Sequence, residues 1–420
     1  MKTILPIAYC RCLAGILWIM PAALVWGNTG TFIDRHLSTD LRVVSYNVLF
    51  DTIFPTQNAQ QAAKFARVVS ALDPDILNLQ EILRPASDVQ NLMNSIAPLP
   101  GGTSWFVHKG GDNVIVSKYP LSLQRTNTSP PGERTQAIAL VDLPDNLFST
   151  DFYFLNNHYK CCGREGGVED SQRQQQSDAI INWLRDAREP GGFVNLAPGT
   201  PFAVVGDLNI VGGPGPLNTL LTGNIFDEAT YGLDSPPDWD GSILTDAHPV
   251  HNVTGTEHYT WRNDNSIFAP GILDFVIYSD SALDVGNKFV LNTVSMTPAE
   301  RAATGLQLFD ITVDSSGSNY DHLPVVVDFR IFDFATSDFN FSRSVDGTDL
   351  AIWQSGFGTS TGATRSMGDA DGARDIDASD LFVCQRQVTL GDYPLSVPVS
   401  LSNATLFFSL LTLSQASRKR

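Results

Sequence analysis

Positive charge is scarce in this chain. Lys and Arg number 27 against 45 Asp and Glu, a formal net charge of −18. That argues against a generic surface for coating nucleic acid, because such surfaces are basic. It leaves room for an enzyme that handles phosphate, since a bound cation supplies positive charge locally. Cysteine is scarce too, at five residues: Cys10, Cys12, Cys161, Cys162 and Cys384. A bond between Cys161 and Cys162 would be strained, because adjacent Cα atoms sit about 3.8 Å apart, below the usual bridging range of about 4.4–6.8 Å, and an odd count leaves at least one thiol unpaired. No basic helix is present, and no strip of interleaved basic and aromatic residues on which single-stranded nucleic acid lies. A basic amphipathic segment suited to a membrane surface is also missing.

What is present is globular. With 43% hydrophobic and 17% charged residues, the composition is that of a folded chain. Its length admits one large core and at least one smaller unit. Residues 1–27 read as an export signal, in which Lys2 precedes "LAGILWIMPAALVWG", an apolar stretch too short for an ordinary membrane span. Residues 395–420 carry another short apolar run and then Arg418, Lys419 and Arg420. That polarity suits a sorting tail in transient contact with a membrane. The expectation is a secreted or cell-envelope-associated protein.

From residue 40 to 332, strand-like runs alternate with helical ones. "LRVVSYNVLF", "DILNLQE", "GDNVIVSKYP", "TQAIALVDL", "DFYFLNNHY", "PFAVVGDLN", "GILDFVIYS" and "HLPVVVDFR" have strand length and polar borders. Ala62, Phe65, Ala66, Val69 and Leu72 recur at helical spacing, stopped by Asp73-Pro74. "SQRQQQSDAIINWLRDAR" predicts a second helix that buries Ile180, Trp183 and Leu184. Many strands with interspersed helices predict two packed sheets covered by helices. Stretches 231–268 and 281–318, rich in Gly, Asp, Ser and Asn, read as long surface loops.

Beyond residue 336 the character changes. "DFNFSRSVDGTD" (338–349) and "DADGARDIDASD" (369–380) repeat at an offset of 369 − 338 = 31 residues, each before a helical start. This is an internal duplication. Calcium takes oxygens at alternating loop positions and at the twelfth. Asp338, Asn340, Ser342, Asp346 and Asp349 supply them in the first loop, and Asp369, Asp371, Asp377 and Asp380 in the second. The pair resembles a dockerin module over residues 336–390, departing from it where Ser342 replaces a carboxylate and Ala373 offers no ligand. The resemblance implies a small all-α calcium-loop domain, bound Ca2+ and a cohesin-like docking partner. The tail is similar to PEP-CTERM sorting signals, although "VPVS" lacks their usual second proline.

Polar residues stand at strand ends where apolar ones are expected. "VVGDLN" places Asp207 and Asn209 two apart, so that on a strand both face one way; an Asx turn capping the strand is the other reading. "VVSYNV" carries Asn47, "ILNLQE" ends on Glu81, and "FLNNHY" delivers Asn156 and His158. "ILDFVI" embeds Asp274, and "YDHLPVVV" sets Asp321 and His322 before the last strand. Buried carboxylates and amides are costly unless paired or metal-bound, so this many departures from apolar patterning mark a site. Asn47 and Glu81 offer hard oxygens for magnesium. Asp207 and Asn209 suit orienting or deprotonating a water, while His158 and His322 suit donation to a phosphoryl oxygen. Asp274 suits fixing a histidine tautomer and favouring its cation. His248, His251 and His258 share one long loop, as a second metal site or as solvated residues. "HYKCCGREGG", directly after His158, is the candidate specificity loop.

The ordered series "SYNV", "LQE", "VIVSKYPL", "NNH", "RQQQ", "GDLN", "LDFV" and "DHLPV" resembles the endonuclease/exonuclease/phosphatase family. The resemblance implies a four-layer αββα sandwich of the α/β class over residues 40–332, with the site at one end of the paired sheets. It implies Mg2+ (or Mn2+) held by Asn47 and Glu81 with Asp321 nearby, phosphate contacts from His158 and His322, and water activation by Asp207 with Asn209. It implies that Asp274 supports a histidine. Arg173 and Gln176, about one helical turn apart, fit that family's arginine-containing helix at the substrate rim. The expected function is a phosphodiesterase, with nucleic acid as the first substrate class and phospholipid as another. The alternatives are a sphingomyelinase-like or small-molecule phosphoesterase, and a non-catalytic binding protein of the same fold. The last would be marked by lost catalytic positions, and none is lost.

Overall fold

Among the described residues twelve strands form two facing sheets, and their order explains why polar residues collect at one edge. The computed structural model describes residues 29–128, 134–311, 321–331, 337–340, 342, 344–363, 365–370 and 375–388. The expected export signal, the sorting tail and Asp371 lie outside the described residues.

The chain begins with β1 (Leu41–Asn47), α1 (Ala59–Leu72), β2 (Ile76–Gln80), α2 (Ala86–Ile96), β3 (Phe106–Gly110) and β4 (Asn113–Ser117). It continues with β5 (Leu121–Asn127), β6 (Gln136–Val141), β7 (Phe152–His158), α3 (Val168–Arg188) and β8 (Phe202–Asp207). Then come α4 (Gly215–Thr222), α5 (Glu228–Tyr231), β9 (Thr245–Asp246), β10 (Asp274–Tyr278), β11 (Leu283–Val290), α6 (Pro298–Thr304) and β12 (Val325–Ile331). Last are α7 (Gly347–Gly356) and α8 (Ala378–Val388).

One sheet has the order β11-β12-β1-β2-β4-β3 and the other β5-β6-β7-β8-β10-β9. Each contains one parallel pair, β1 with β2 and β7 with β8. β1, β2, β7 and β8 are buried along their whole lengths, as near-continuous apolar runs covered on both faces should be. Tyr46, Phe152, Phe154, Val205 and Phe329 share the core between the sheets, and α1 adds Phe65, Val69 and Leu72 to the same cluster. α3 covers the second sheet, packing Ile180, Ile181 and Leu184 with Tyr153 and Val204. Two mixed sheets flanked by helices are thus the α/β sandwich that the sequence led us to expect.

Two local expectations need correction. Stretch 281–318 is not all loop, because it contains β11 and α6. β11 was hidden by a bulge between Val285 and Asn287, which breaks the period-two pattern. α6 opens on a capping box, Thr297 with Glu300. Trp183 is half-buried rather than buried; it packs against the α3 core and donates its indole N–H to the Tyr153 hydroxyl at 3.0 Å.

The duplication is visible in hydrogen bonds. Asp349 Oδ1 accepts from the Phe339 amide and Asp380 Oδ1 from the Ala370 amide, each at 2.7 Å. Asp349 Oδ2 accepts from Asp346 N and Asp380 Oδ2 from Asp377 N. Asp346 and Asp377 accept in turn from the amides of Thr348 and Ser379 at the starts of α7 and α8. Phe339, Trp353, Ala370 and Ile376 form a small separate core beneath these turns.

Candidate active site

Parallel partners end at the same edge, and here their last residues are polar. Asn47 closes β1 opposite Gln80, with Glu81 next. His158 closes β7 opposite Asp207, which closes β8. β10 runs antiparallel to β8, so its first residue, Asp274, also lies opposite Asp207. His322 stands just before β12, bridged to Trp261. Asn47, His158, Asp207, Asn209, Asp274 and His322 are all buried.

Asp207 is the centre of the group. Its Oδ2 accepts from Asn47 Nδ2 at 3.1 Å and lies 3.4 Å from His158 Nε2 and 3.7 Å from His322 Nε2. Each histidine is backed by a second carboxylate, His322 Nδ1 by Asp274 Oδ2 at 2.7 Å and His158 Nδ1 by Asp112 Oδ2 at 2.9 Å. Gly206, with φ of 126°, lets β8 reach this position: a Cβ there would overlap the Asn157 carbonyl. Glu81 takes φ of 65°, a left-handed conformation that costs a non-glycine residue roughly 1–3 kcal/mol and clusters at functional sites. Its Oε1 accepts from Asn47 Nδ2 at 3.2 Å and its Oε2 from the Phe50 amide at 3.1 Å.

Burial sets the protonation of the two pairs. It lifts the Asp274 carboxyl to about 6, against the pull of His322. Burial alone would strip the proton from His322, but Asp274 and Asp207 outweigh it and raise the imidazolium to about 10. At neutral pH the pair is therefore ionised, with the cation directed at Asp207. Burial would also raise Asp112, yet the hydrogen bond and charge of His158, with Arg134, hold it below the usual carboxylate range.

Several expected residues reach their places by another route. Asn209 lies beyond the end of β8 with φ of 49°, so strand alternation does not bring it beside Asp207. Its amide donates to Asp207 Oδ1 at 3.1 Å, the Asx turn, and its Nδ2 donates to the Tyr159 carbonyl. Arg173 and Gln176 do not form a rim, because both are buried. Arg173 Nη1 donates to the carbonyls of Lys160 and Cys162, and Gln176 Oε1 accepts from the Lys160 amide. Their helix face is turned inward to hold the segment that follows His158. Asp321 turns its Oδ2 to the Trp261 indole at 3.1 Å, and its charge helps to raise His322. Asn156 donates across to the carbonyls of Leu79 and Val114, tying the sheets together. His251 is bonded to the Tyr259 carbonyl and Asn292, while His248 and His258 stack at 4.7 Å.

Two members of the site were missed. Asp112 lies in the β3–β4 turn, where an acidic residue beside glycine reads as turn chemistry. Arg134 Nη1 contacts both ring nitrogens of His158 and pairs with Asp112 at 3.0 Å; nothing in its sequence neighbourhood marks it.

Asp207, Asp274 and His322 each offer a ligand atom within 4.8 Å of the others. A protonated histidine is a poor ligand, which disfavours that set. Asn47 and Glu81 carry the amide and carboxylate oxygens that magnesium takes; here Asn47 turns its Nδ2 to Glu81 and its Oδ1 to the Leu49 amide, so its amide would turn over to hold the ion. Glu81 and Asp207 also share one Asn47 amide group, so negative charge gathers there. Among the described residues, no helix is long and apolar enough to cross a membrane.

The family model described as the Endonuclease/Exonuclease/phosphatase family matches residues 44–295. No curated protein matches the chain. The human Nocturnin catalytic domain with bound sulfate anion is 16% identical, with 70% of this chain and 96% of that one covered and a TM-score of 0.44. An endonuclease/exonuclease/phosphatase from Bacteroides vulgatus is 17% identical over 70% of this chain and 99% of its own, with a TM-score of 0.43. ANGEL2, a 2',3'-cyclic phosphatase, is 16% identical over 69% of this chain and 95% of its own, with a TM-score of 0.44.

Proposed function

The chain belongs to the endonuclease/exonuclease/phosphatase family, and from that premise we propose that it is a divalent-metal-dependent phosphodiesterase acting on nucleic acid. The observation that carries the reading is Asp207 Oδ2 standing between two histidine Nε2 atoms at 3.4 and 3.7 Å. Asp207 Oδ1 accepts from the Asn209 amide and Oδ2 from Asn47 Nδ2; Oδ2, which faces both histidines, is the oxygen that accepts the proton of an attacking water. The His322 imidazolium, held by Asp274, donates to a phosphoryl oxygen as charge builds. His158, oriented by Asp112, donates to a second oxygen. Water oxygen bonds to phosphorus as the bond to the leaving oxygen breaks, the water's proton passes to Asp207, and the departing oxygen takes a proton from solvent. A magnesium or manganese ion bound by Asn47 and Glu81, with Asp321 nearby, would supply positive charge for the phosphate.

Hydrolysis of plasmid DNA by the purified chain, with magnesium and with excess chelator, tests this reading. Asp207→Ala should lower turnover about 10²–10⁴-fold and His322→Ala about 10²–10³-fold. Near-wild-type nicking by both variants would overturn the mechanism. Hydrolysis of sphingomyelin without nicking would overturn the nucleic-acid substrate.

We also infer that residues 336–390 are a dockerin-like calcium pair for a cohesin-like partner, on an exported protein with a membrane-touching tail. The repeated Asp349 and Asp380 hydrogen bonds support the duplicated frame. Calcium at 100 times its dissociation constant should stabilise the unit by about 2.7 kcal/mol. Titration calorimetry on the full chain checks this, and absence of a calcium heat would refute it.

A further inference from the structure

We propose that Cys161 and Cys162 are a reversible oxidation site, a thiol pair that closes to a vicinal disulfide and thereby shifts the seat of His158. Both cysteines are free, Cys162 exposed and Cys161 partly so. Cys162 Sγ donates to Cys161 Sγ at 2.8 Å, so the two sulfurs already meet. Cys162 has φ of 70°, a left-handed turn at a residue that is not glycine. The effect on turnover rests on the reading of His158 given above; the oxidation itself does not.

The pair sits on a strap tied at both ends. At one end the Tyr159 amide donates to the Asp207 carbonyl at 2.8 Å, and the Tyr159 carbonyl accepts from Asn209. At the other, Arg173 Nη1 donates to the Lys160 carbonyl at 2.9 Å and the Cys162 carbonyl at 2.7 Å. Arg173 is fully buried and cannot turn to water for a replacement. Adjacent Cα atoms about 3.8 Å apart are too close for an unstrained bridge. Closing the ring therefore resets the peptide between the cysteines and turns Cys162 about its N–Cα bond, and that turn carries the Cys162 carbonyl, which lies outside the ring, away from Arg173. The guanidinium then draws on the Lys160 carbonyl, two residues from His158. A strained, exposed disulfide is also the kind that reducing thiols reopen.

The oxidant is a low-molecular-weight disulfide. Cys161 accepts the thiol hydrogen bond and is the attacking sulfur; the hydrogen bond to Cys161 pushes the Cys162 thiol up to about 11 and keeps it protonated. Attack by Cys161 forms a mixed disulfide and expels one thiol. Cys162 then loses its proton, attacks Cys161 Sγ and expels the second thiol. Two electrons and two protons pass from the cysteines to the oxidant, which leaves as two thiols.

The full chain treated with oxidised glutathione, alkylated and digested with trypsin should yield the peptide Cys161–Arg164 lighter by two hydrogens and unalkylated. Amide hydrogen exchange over residues 155–162 should quicken in that form. Turnover should fall about tenfold, which is 1.36 kcal/mol in barrier, and dithiothreitol should restore all three. Cys162→Ser should show no response of the exchange to oxidised glutathione. A peptide that keeps two alkylatable thiols or carries only glutathione adducts would overturn the proposal. So would a closed peptide with unchanged exchange, and that measurement stands whether or not the phosphodiesterase reading survives.

Discussion

Asp328→Asn tests what holds the site edge in place. Arg42 Nε and Nη2 donate to the two oxygens of Asp328, both at 2.7 Å. The side chains are 3% and 0% exposed. The same guanidinium donates to the carbonyls of Leu72 at 2.9 Å and Ile33 at 2.6 Å. One pair thus ties β1, which ends on Asn47, to β12, which His322 precedes, and to the end of α1. Replacing the carboxylate by an amide leaves a buried guanidinium without its counter-charge, a loss of about 3–5 kcal/mol for a broken buried pair. That is a large share of the roughly 5–15 kcal/mol that stabilises a domain. Exchanging both partners, as Arg42→Met with Asp328→Leu, recovers about 1–4 kcal/mol by removing desolvated charge. It also orphans two carbonyls at roughly 1–3 kcal/mol each, so the double variant should lie between the single variant and wild type. Urea unfolding followed by tryptophan fluorescence measures all three. A cost below about 1 kcal/mol for Asp328→Asn, the level of ordinary substitutions, would mean that water reaches the pair and the reasoning fails.

Other outcomes follow from the same geometry. Asp112→Ala removes the partner of His158 Nδ1 and should lower kcat about 10²-fold with KM little changed; steady-state kinetics decide, and an unchanged kcat would remove Asp112 from the site. Gly206→Ala sets a Cβ against the Asn157 carbonyl at φ of 126° and should cost about 3 kcal/mol or more, read as a lower urea midpoint together with lost turnover. Burial lifts the Asp238 carboxyl to about 7 from the 3.8 of a free side chain, with Ser281 and Trp239 only partly offsetting it. Between those values the folded protein keeps a proton that the unfolded chain has released, so this group's stabilisation falls as pH rises. The slope is up to about 1.4 kcal/mol per pH unit. Asp238→Asn should remove it, and a pH-independent stability difference between variant and wild type would contradict the assignment.

What the sequence made legible follows a physical rule. β1, β2, β4, β6, β7, β8, β10 and β12 were anticipated because strands buried on both faces demand unbroken apolar runs, and polar residues at their ends then stand out. β3 and β5 were not, since edge strands such as "LSLQRTN", mostly exposed or half-buried along their length, carry no such run. Asp112 and Arg134 escaped because each lies outside a strand body and gains its role only through a partner distant in the chain. Arg173 was placed on the right helix but the wrong face. Glutamine-rich helices give little amphipathic contrast, and the carbonyls of Lys160 and Cys162 that bury its guanidinium leave no trace in the residue pattern.

The position of the site follows from the topology before any chemistry is considered. Each parallel pair ends at one edge of its sheet, and the two edges meet where Asn47 donates to Asp207, so Asn47, Gln80, His158 and Asp207 arrive there together. The antiparallel neighbours β10 and β12 enter at that edge and bring Asp274 and His322. Side chains alternate between faces, so a slip of one residue in any of these pairings would turn a polar group out of the cleft. Asp207 is the tightest case, being registered at once against His158 on β7 and Asp274 on β10. That double registration lets one carboxylate face two histidines, and it requires glycine at position 206, where the strands approach too closely for a side chain.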